Sequence, residues 1–117
     1  MTDTDISDIR LHKLKKIEVI VKGDRQPFIR DLFSEAGITG YTLIKDVSGL
    51  GHHGFHEGRL LFNDQASLVM FMAVATPRAI NKVVAGLKPL FEKSSGIMVL
   101  SDVEVVRLEH FTAEQTA

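Results

Sequence analysis

The sequence predicts an α+β domain in which two β-α-β halves share one sheet. Residues 14–22, LKKIEVIVK, alternate apolar and polar, the period of a strand with one face in the core. Two later stretches each offer a cap residue, a proline and then an apolar stripe at helical spacing, as helices do when they open. A strand-like run follows each of them.

Residues 1–13 are polar and form an N-terminal arm, in which Ile6, Ile9 and Leu11 offer a short turn against the domain. The first strand ends at Gly23-Asp24, with Asp24 a candidate N-cap and Pro27 in the first turn, where its missing N–H is harmless. Phe28, Ile29, Leu32, Phe33 and Ala36 share one stripe, so the first helix spans about Gln26–Ala36 and Gly37 stops it. A second strand covers about Thr39–Val47, rich in β-formers. Ser48 to about Ala66 is polar and glycine-rich, with Leu60-Leu61-Phe62 a candidate short strand inside it; a connection this long is usually functional or disordered. Ser67–Ala75, SLVMFMAVA, is apolar throughout, as a strand buried on both faces would be. Thr76 caps and Pro77 opens a second helix with Ile80, Val83, Val84, Leu87 and Phe91 on its stripe; Gly86 and Pro89 strain its end, near Lys93. Ser94-Ser95-Gly96 turns the chain into a last strand, Ile97–Leu108, bent or split at Ser101-Asp102, before a polar tail from Phe111. The order β-α-β, long loop, β-α-β is that of a ferredoxin-like sandwich.

Composition narrows the function. The chain has 117 residues, one domain's worth, with 14 Lys plus Arg against 15 Asp plus Glu and a formal net charge of −1. No global field draws it to nucleic acid or to anionic membrane, so any anion site is local. The absence of Cys excludes disulfides and thiolate metal sites. The longest apolar run, Leu68–Ala75, is far shorter than the roughly 20 residues of a membrane helix, and the polar N-terminus is unlike a signal peptide. A soluble cytoplasmic protein without membrane insertion is the expectation. No nucleophile, base and orienter stand in a recognisable pattern, so no catalytic residue is assigned.

Chemistry concentrates between Gly37 and Gly54, GITGYTLIKDVSGLGHHG. Gly49, Gly51 and Gly54 lie beside His52 and His53, and glycines at that density let backbone N–H groups approach an anion closely. The structural alternative is an ordinary hairpin loop. His52, His53 and His56 also offer imidazoles for a metal, although solvated loop histidines are the commoner case and no metal is expected.

The segments KKIEVIV (Lys15–Val21), GITGYTLIKDVSGLGHHG and SGIMVLSDVEVVRLE (Ser95–Glu109) resemble, in order and spacing, the opening strand, T-loop base and C-terminal region of the PII signalling family, over about residues 14–110. The resemblance implies a homotrimer with nucleotide sites between subunits and a T-loop at about 48–66. Carried over by position, Gly40, Tyr41 and Thr42 would lie beside adenine, Gly49, Gly51 and His52 would approach the phosphates, Lys93, Ser94, Ser95 and Gly96 would form the B-loop from a neighbour, and Arg107 would pair with phosphate. Where the family has a second C-terminal arginine this chain has Glu109, and the B-loop lysine is lost from its usual place, which implies ADP or AMP in preference to ATP. His52-His53 replaces the family's Arg-Gln, putting 2-oxoglutarate sensing in doubt, and the T-loop has no tyrosine to uridylylate. These departures resemble the PII-like, carboxysome-associated branch, implying bicarbonate as effector, with Arg59, His52 and Lys93 as candidate ligands, and a carbon transporter or carboxysome component as target. The alternative is a trimeric divalent-metal-binding protein of the cation-tolerance type that uses the loop histidines.

Overall fold

A computed structural model describes residues 9–51, 54–56 and 67–110. The elements run β1 (His12–Lys22), a 3-10 turn (Gly23–Arg25), α1 (Gln26–Glu35), β2 (Thr42–Val47), β3 (Gly49–Gly51), β4 (Gly54–His56), β5 (Leu68–Ala75), α2 (Pro77–Lys93), β6 (Ile97–Val105) and a final 3-10 turn (Leu108–His110). β1, β2, β5 and β6 form one antiparallel sheet in the order β2-β5-β1-β6, and β3 pairs with β4 as a separate ribbon. This is the ferredoxin-like α+β plan.

Both helices lie on one face. Ile17, Val19 and Val21 of β1 and Val69, Phe71, Ala73 and Ala75 of β5 point into a core closed by Ile29 and Phe33 of α1 and by Ile80, Val83 and Leu87 of α2. Fully burying each large apolar side chain contributes about 1.5–3 kcal/mol. Gly86 lets α2 pack close against α1: a Cβ there would sit 2.5 Å from Leu32 Cδ2. Its role is therefore close packing rather than strain, and α2 continues through Pro89 to Lys93.

The helix signals have separate outcomes. Gly37, with φ 88°, closes α1 in a Schellman motif, its N–H bonding Ser34 O at 3.1 Å while Ile38 N–H bonds Phe33 O at 2.8 Å. Thr76 caps α2, its hydroxyl accepting from Ala79 N–H at 3.2 Å. Asp24 does not cap α1: the chain passes through the 3-10 turn directly into the helix, and the N-cap position falls to Arg25, which makes no side-chain cap.

Three strand expectations are corrected. β2 starts at Thr42 rather than Thr39, because Ile38 is taken by the motif that ends α1. β6 runs unbroken through Ser101-Asp102 and ends at Val105; a cross-strand ion pair of Asp102 Oδ1 with Lys15 Nζ at 2.8 Å ties that point to β1. β5 is buried on one face only, since alternate residues Leu68, Met70, Met72 and Val74 are half-buried on the side that no helix covers. Cross-strand register lines Ile44, Met70, Ile20 and Ile97 in one row across that open side, and Ile44 and Ile97 are 44% and 49% exposed. Near the N-terminus, Ile9 and Leu11 are exposed rather than tucked under the domain; Ile6, the Leu60–Phe62 strand and the tail from Phe111 lie outside the described residues.

Thr76→Ala should lower stability by about 1 kcal/mol through loss of the cap, whereas Asp24→Ala should stay within about 0.5 kcal/mol of the parent; urea denaturation of the two variants would separate a real cap from an apparent one. The Lys15 hydrogen bond and charge, helped by Lys13, hold the Asp102 carboxyl below its ordinary 3.8. A lowered folded value means that this contribution is present above the ordinary value and disappears as pH falls through the folded one. In a carboxyl-carbon NMR titration, Lys15→Met should move the Asp102 transition up toward 3.8.

Candidate functional site

Strand direction decides where the candidate residues come. β1 and β2 run one way, β5 and β6 the other. The end of the sheet where β6 begins and β2 finishes carries Lys93, Ser94, Ser95 and Gly96, and β3 with Gly49 and Gly51 sets out from it. The opposite end carries Gly40, Tyr41, Thr42 and, just beyond β6, Arg107. By register Thr42 lies in the Glu18 row and Val105 in the His12 row, so at about 3.4 Å per residue they stand roughly 14 and 34 Å from the Lys22 end. At either end the residues also lie on opposite edges, because β2 and β6 are the outer strands. Within one chain the full set does not converge. His52 and Arg59 lie outside the described residues, as does His53.

At the first end, Lys93 closes α2 and Ser94 N–H bonds Leu90 O at 2.9 Å. Gly96 then passes close over β1: a Cβ there would meet Phe91 Cε1 at 3.0 Å and the Ile20 carbonyl oxygen at 3.2 Å. Between this loop and the end of β1 is a cleft of about 230 Å³, lined by Val21, Lys22, Arg25, Leu90, Lys93, Ser94 and Ser95. Arg25 Nη2 donates to Ser94 Oγ at 3.3 Å across it. Lys22 and Arg25 were not legible as partners of this loop, since 69 positions separate Arg25 from Ser94 and no periodicity links them.

The β2 end is built differently. Tyr41 packs edge-on against Phe33, with centroids 5.6 Å apart, and tilted against Phe71 at 5.3 Å. Its hydroxyl accepts from Arg30 Nε at 3.0 Å, and Arg30 Nη2 donates to Gln26 Oε1 at 3.0 Å. These contacts anchor the strand's first residues on α1. Gly40 has open space where a Cβ would stand, and so has Gly49, so packing among the described residues does not require glycine at either position. Past Val47 the chain is redirected by a bulge at Asp46, whose φ of 58° is in the left-handed region that Asp tolerates.

On the β6 side, Arg107 Nε stands 3.7 Å from Glu109 Oε2, both side chains largely exposed. The carboxylate that replaces a family arginine thus sits beside the guanidinium assigned to phosphate. Among the described residues, no group of three or more His, Cys, Asp or Glu is arranged to hold a metal, and no helix is long and apolar enough to cross a membrane.

The family model for nitrogen regulatory protein P-II matches residues 14–110. Among solved structures, CPII from Thiomonas intermedia K12, a nitrogen regulatory PII-like protein bound to ADP, AMP and bicarbonate, is 38% identical over 89% of this chain and 98% of that one, with a TM-score of 0.83. A second CPII structure, bound to ADP and bicarbonate, is 36% identical over 88% and 98% of the two chains, with a TM-score of 0.78. A PII-like signalling protein from Thermus thermophilus, at 16% identity over 88% and 99% and a TM-score of 0.69, shares the fold. No curated protein matches the chain.

Gly96→Ala should destabilise the fold by about 1–3 kcal/mol, because the added methyl meets a backbone oxygen that cannot swing away. Gly40→Ala, with open space at its Cβ, should unfold at nearly the parent's urea midpoint.

Proposed function

This chain belongs to the nitrogen regulatory P-II family, and on that premise we propose that it is a PII-like signal transducer that binds adenine nucleotides in clefts between the subunits of a homotrimer and senses bicarbonate with them. The observation that carries the reading is 38% identity, across nearly the whole length, to a protein solved with ADP, AMP and bicarbonate bound. Two features of this chain support the shared cleft. The candidate residues divide between opposite ends and edges of the sheet, so a complete site needs two copies. The row Ile44, Met70, Ile20, Ile97 leaves an apolar sheet face open in one copy, which a trimer would cover.

Gly40, Tyr41 and Thr42 from one subunit would meet the adenine, and Gly49, Gly51 and the Lys93–Gly96 loop the phosphates, with Arg107 paired to phosphate. Gly40 and Gly49, unneeded by internal packing, suit close approach of a ligand. Glu109 competes for Arg107 and repels added negative charge, favouring ADP or AMP over ATP. His52, Arg59 and Lys93 are the candidates around bicarbonate. Ordering of the 48–66 segment over the ligands would switch docking to a cytoplasmic target concerned with inorganic carbon, a transporter or a carboxysome component.

Calorimetric titration with ADP, AMP and ATP, each with and without bicarbonate, tests this. ADP and AMP should bind more tightly than ATP, and bicarbonate should tighten ADP, coupling that is reciprocal by thermodynamic necessity. Arg107→Ala should weaken ADP about tenfold or more, the scale of a lost charged hydrogen bond. Nucleotide binding indifferent to bicarbonate would remove the carbon link; no nucleotide binding at all would sink the proposal. Light scattering should return three times the 13.0 kDa chain mass.

A further inference from the structure

The cleft beside the α2–β6 loop carries more positive charge than the loop itself supplies. Lys22 comes from the end of β1, Arg25 from the 3-10 turn and Lys93 from the last turn of α2. Three cationic residues from three separate segments line one hollow, and among the described residues no carboxylate lines it. The chain as a whole is slightly acidic, at −1, so this concentration does not follow from a generally basic surface. A solvated helix face would draw its lysines from one element at helical spacing; these do not. Among the described residues, neither Lys22 nor Lys93 has an ion-pair partner.

The donor geometry suits an oxyanion. The Arg25 guanidinium spends one N–H on Ser94 at 3.3 Å, and a guanidinium has five, in a fork that matches planar or tetrahedral oxygen sets. The Ser94 bond also draws Arg25 toward the loop. Ser94 and Ser95 add hydroxyls on the same wall. The volume, about 230 Å³, gives one chain room for a small charged group.

We propose that Lys22, Arg25 and Lys93, with the Ser94 and Ser95 hydroxyls, form a site for one small oxyanion, either the terminal phosphate of ADP or free bicarbonate. Lys22 and Arg25 are its newly assigned ligands, and they replace the positive charge that the loop lacks where the family carries a lysine. The choice of anion rests on the function proposed above; the site itself rests on the convergence of the cations.

The test uses the full chain with Lys22→Ala, Arg25→Ala and Arg25→Gln, the last keeping a donor for Ser94 while removing the charge. Both positions are exposed in the fold, and urea midpoints check that the variants remain folded. Calorimetry with ADP, AMP and bicarbonate then separates the sources. ADP weakened about tenfold in each variant, with AMP moved much less, assigns the site to the terminal phosphate. ADP affinity unchanged but no longer tightened by bicarbonate assigns it to bicarbonate. Variants that bind both ligands as the parent does overturn the site. Should the parent bind no nucleotide, the functional proposal fails separately, and titration with inorganic phosphate and with bicarbonate decides the rest: amide NMR shifts at Ser94, Ser95 and Gly96 that vanish in Arg25→Gln retain the anion site, and their absence in the parent overturns it.

Discussion

Helices cover one face of this four-stranded sheet and leave the other face open, and most of the molecule's properties descend from that asymmetry. On the covered side, Ile17, Val19, Phe71, Phe33 and Leu87 exclude water and fix the positions of both helices. On the open side the same strands present Met70, Met72, Ile20 and Ile97, residues whose apolar character a single chain does not use. Because cross-strand register is regular from Lys15 to Lys22, a one-residue slip would exchange the two faces and expose the core. The register therefore specifies the fold and the open apolar face together.

The same sheet distributes the chemistry. Antiparallel strands bring loops from distant sequence to a common end, which is how the 3-10 turn after β1 comes to face the loop after α2. They also keep the β2 and β6 loops on opposite edges, so the division of the candidate residues is a consequence of topology. Electrostatics is local throughout. A chain with nearly balanced charge nonetheless gathers Lys22, Arg25 and Lys93 around one hollow and sets Glu109 against Arg107 elsewhere. Exposed pairs such as Arg107–Glu109 add little stability.

Much of the fold was legible because its signals are short-range. The alternation of β1, the stop at Gly37 and the Thr76-Pro77 opening each depend on a few neighbouring residues, and each appears in the structure as read. The misreadings have two causes, one local and one remote in sequence. Asp24 is a good cap by type, but the preceding turn placed it outside the cap position. Ser101-Asp102 is a poor strand pair by propensity, but Lys15 on the neighbouring strand compensates for Asp102. SLVMFMAVA lacks alternation, although the fold covers only one of its faces. For β5 and β6 packing remote in sequence overruled a local preference, whereas for Asp24 the neighbouring 3-10 turn did. The glycines divide in the same way: Gly37 is explained by its own φ, Gly86 and Gly96 by neighbours on other elements, and Gly40 and Gly49 by nothing among the described residues.

Local chemistry in the chain was enough to establish the β-α-β order, the helix limits near Gly37 and Thr76, the lack of thiol chemistry and the resemblance carried by residues 14–110. Backbone dihedral preference, side-chain period and residue type are properties of neighbouring atoms, so they are written in order along the chain. Assembly of the anion cleft was not available at that level. Arg25 meets Ser94 only after α1 and α2 have packed on the sheet and β6 has paired with β1, and no pattern in the intervening residues encodes the meeting. The division of the candidate site between two ends of the sheet is likewise a matter of strand direction, which hydrogen bonding between distant segments sets.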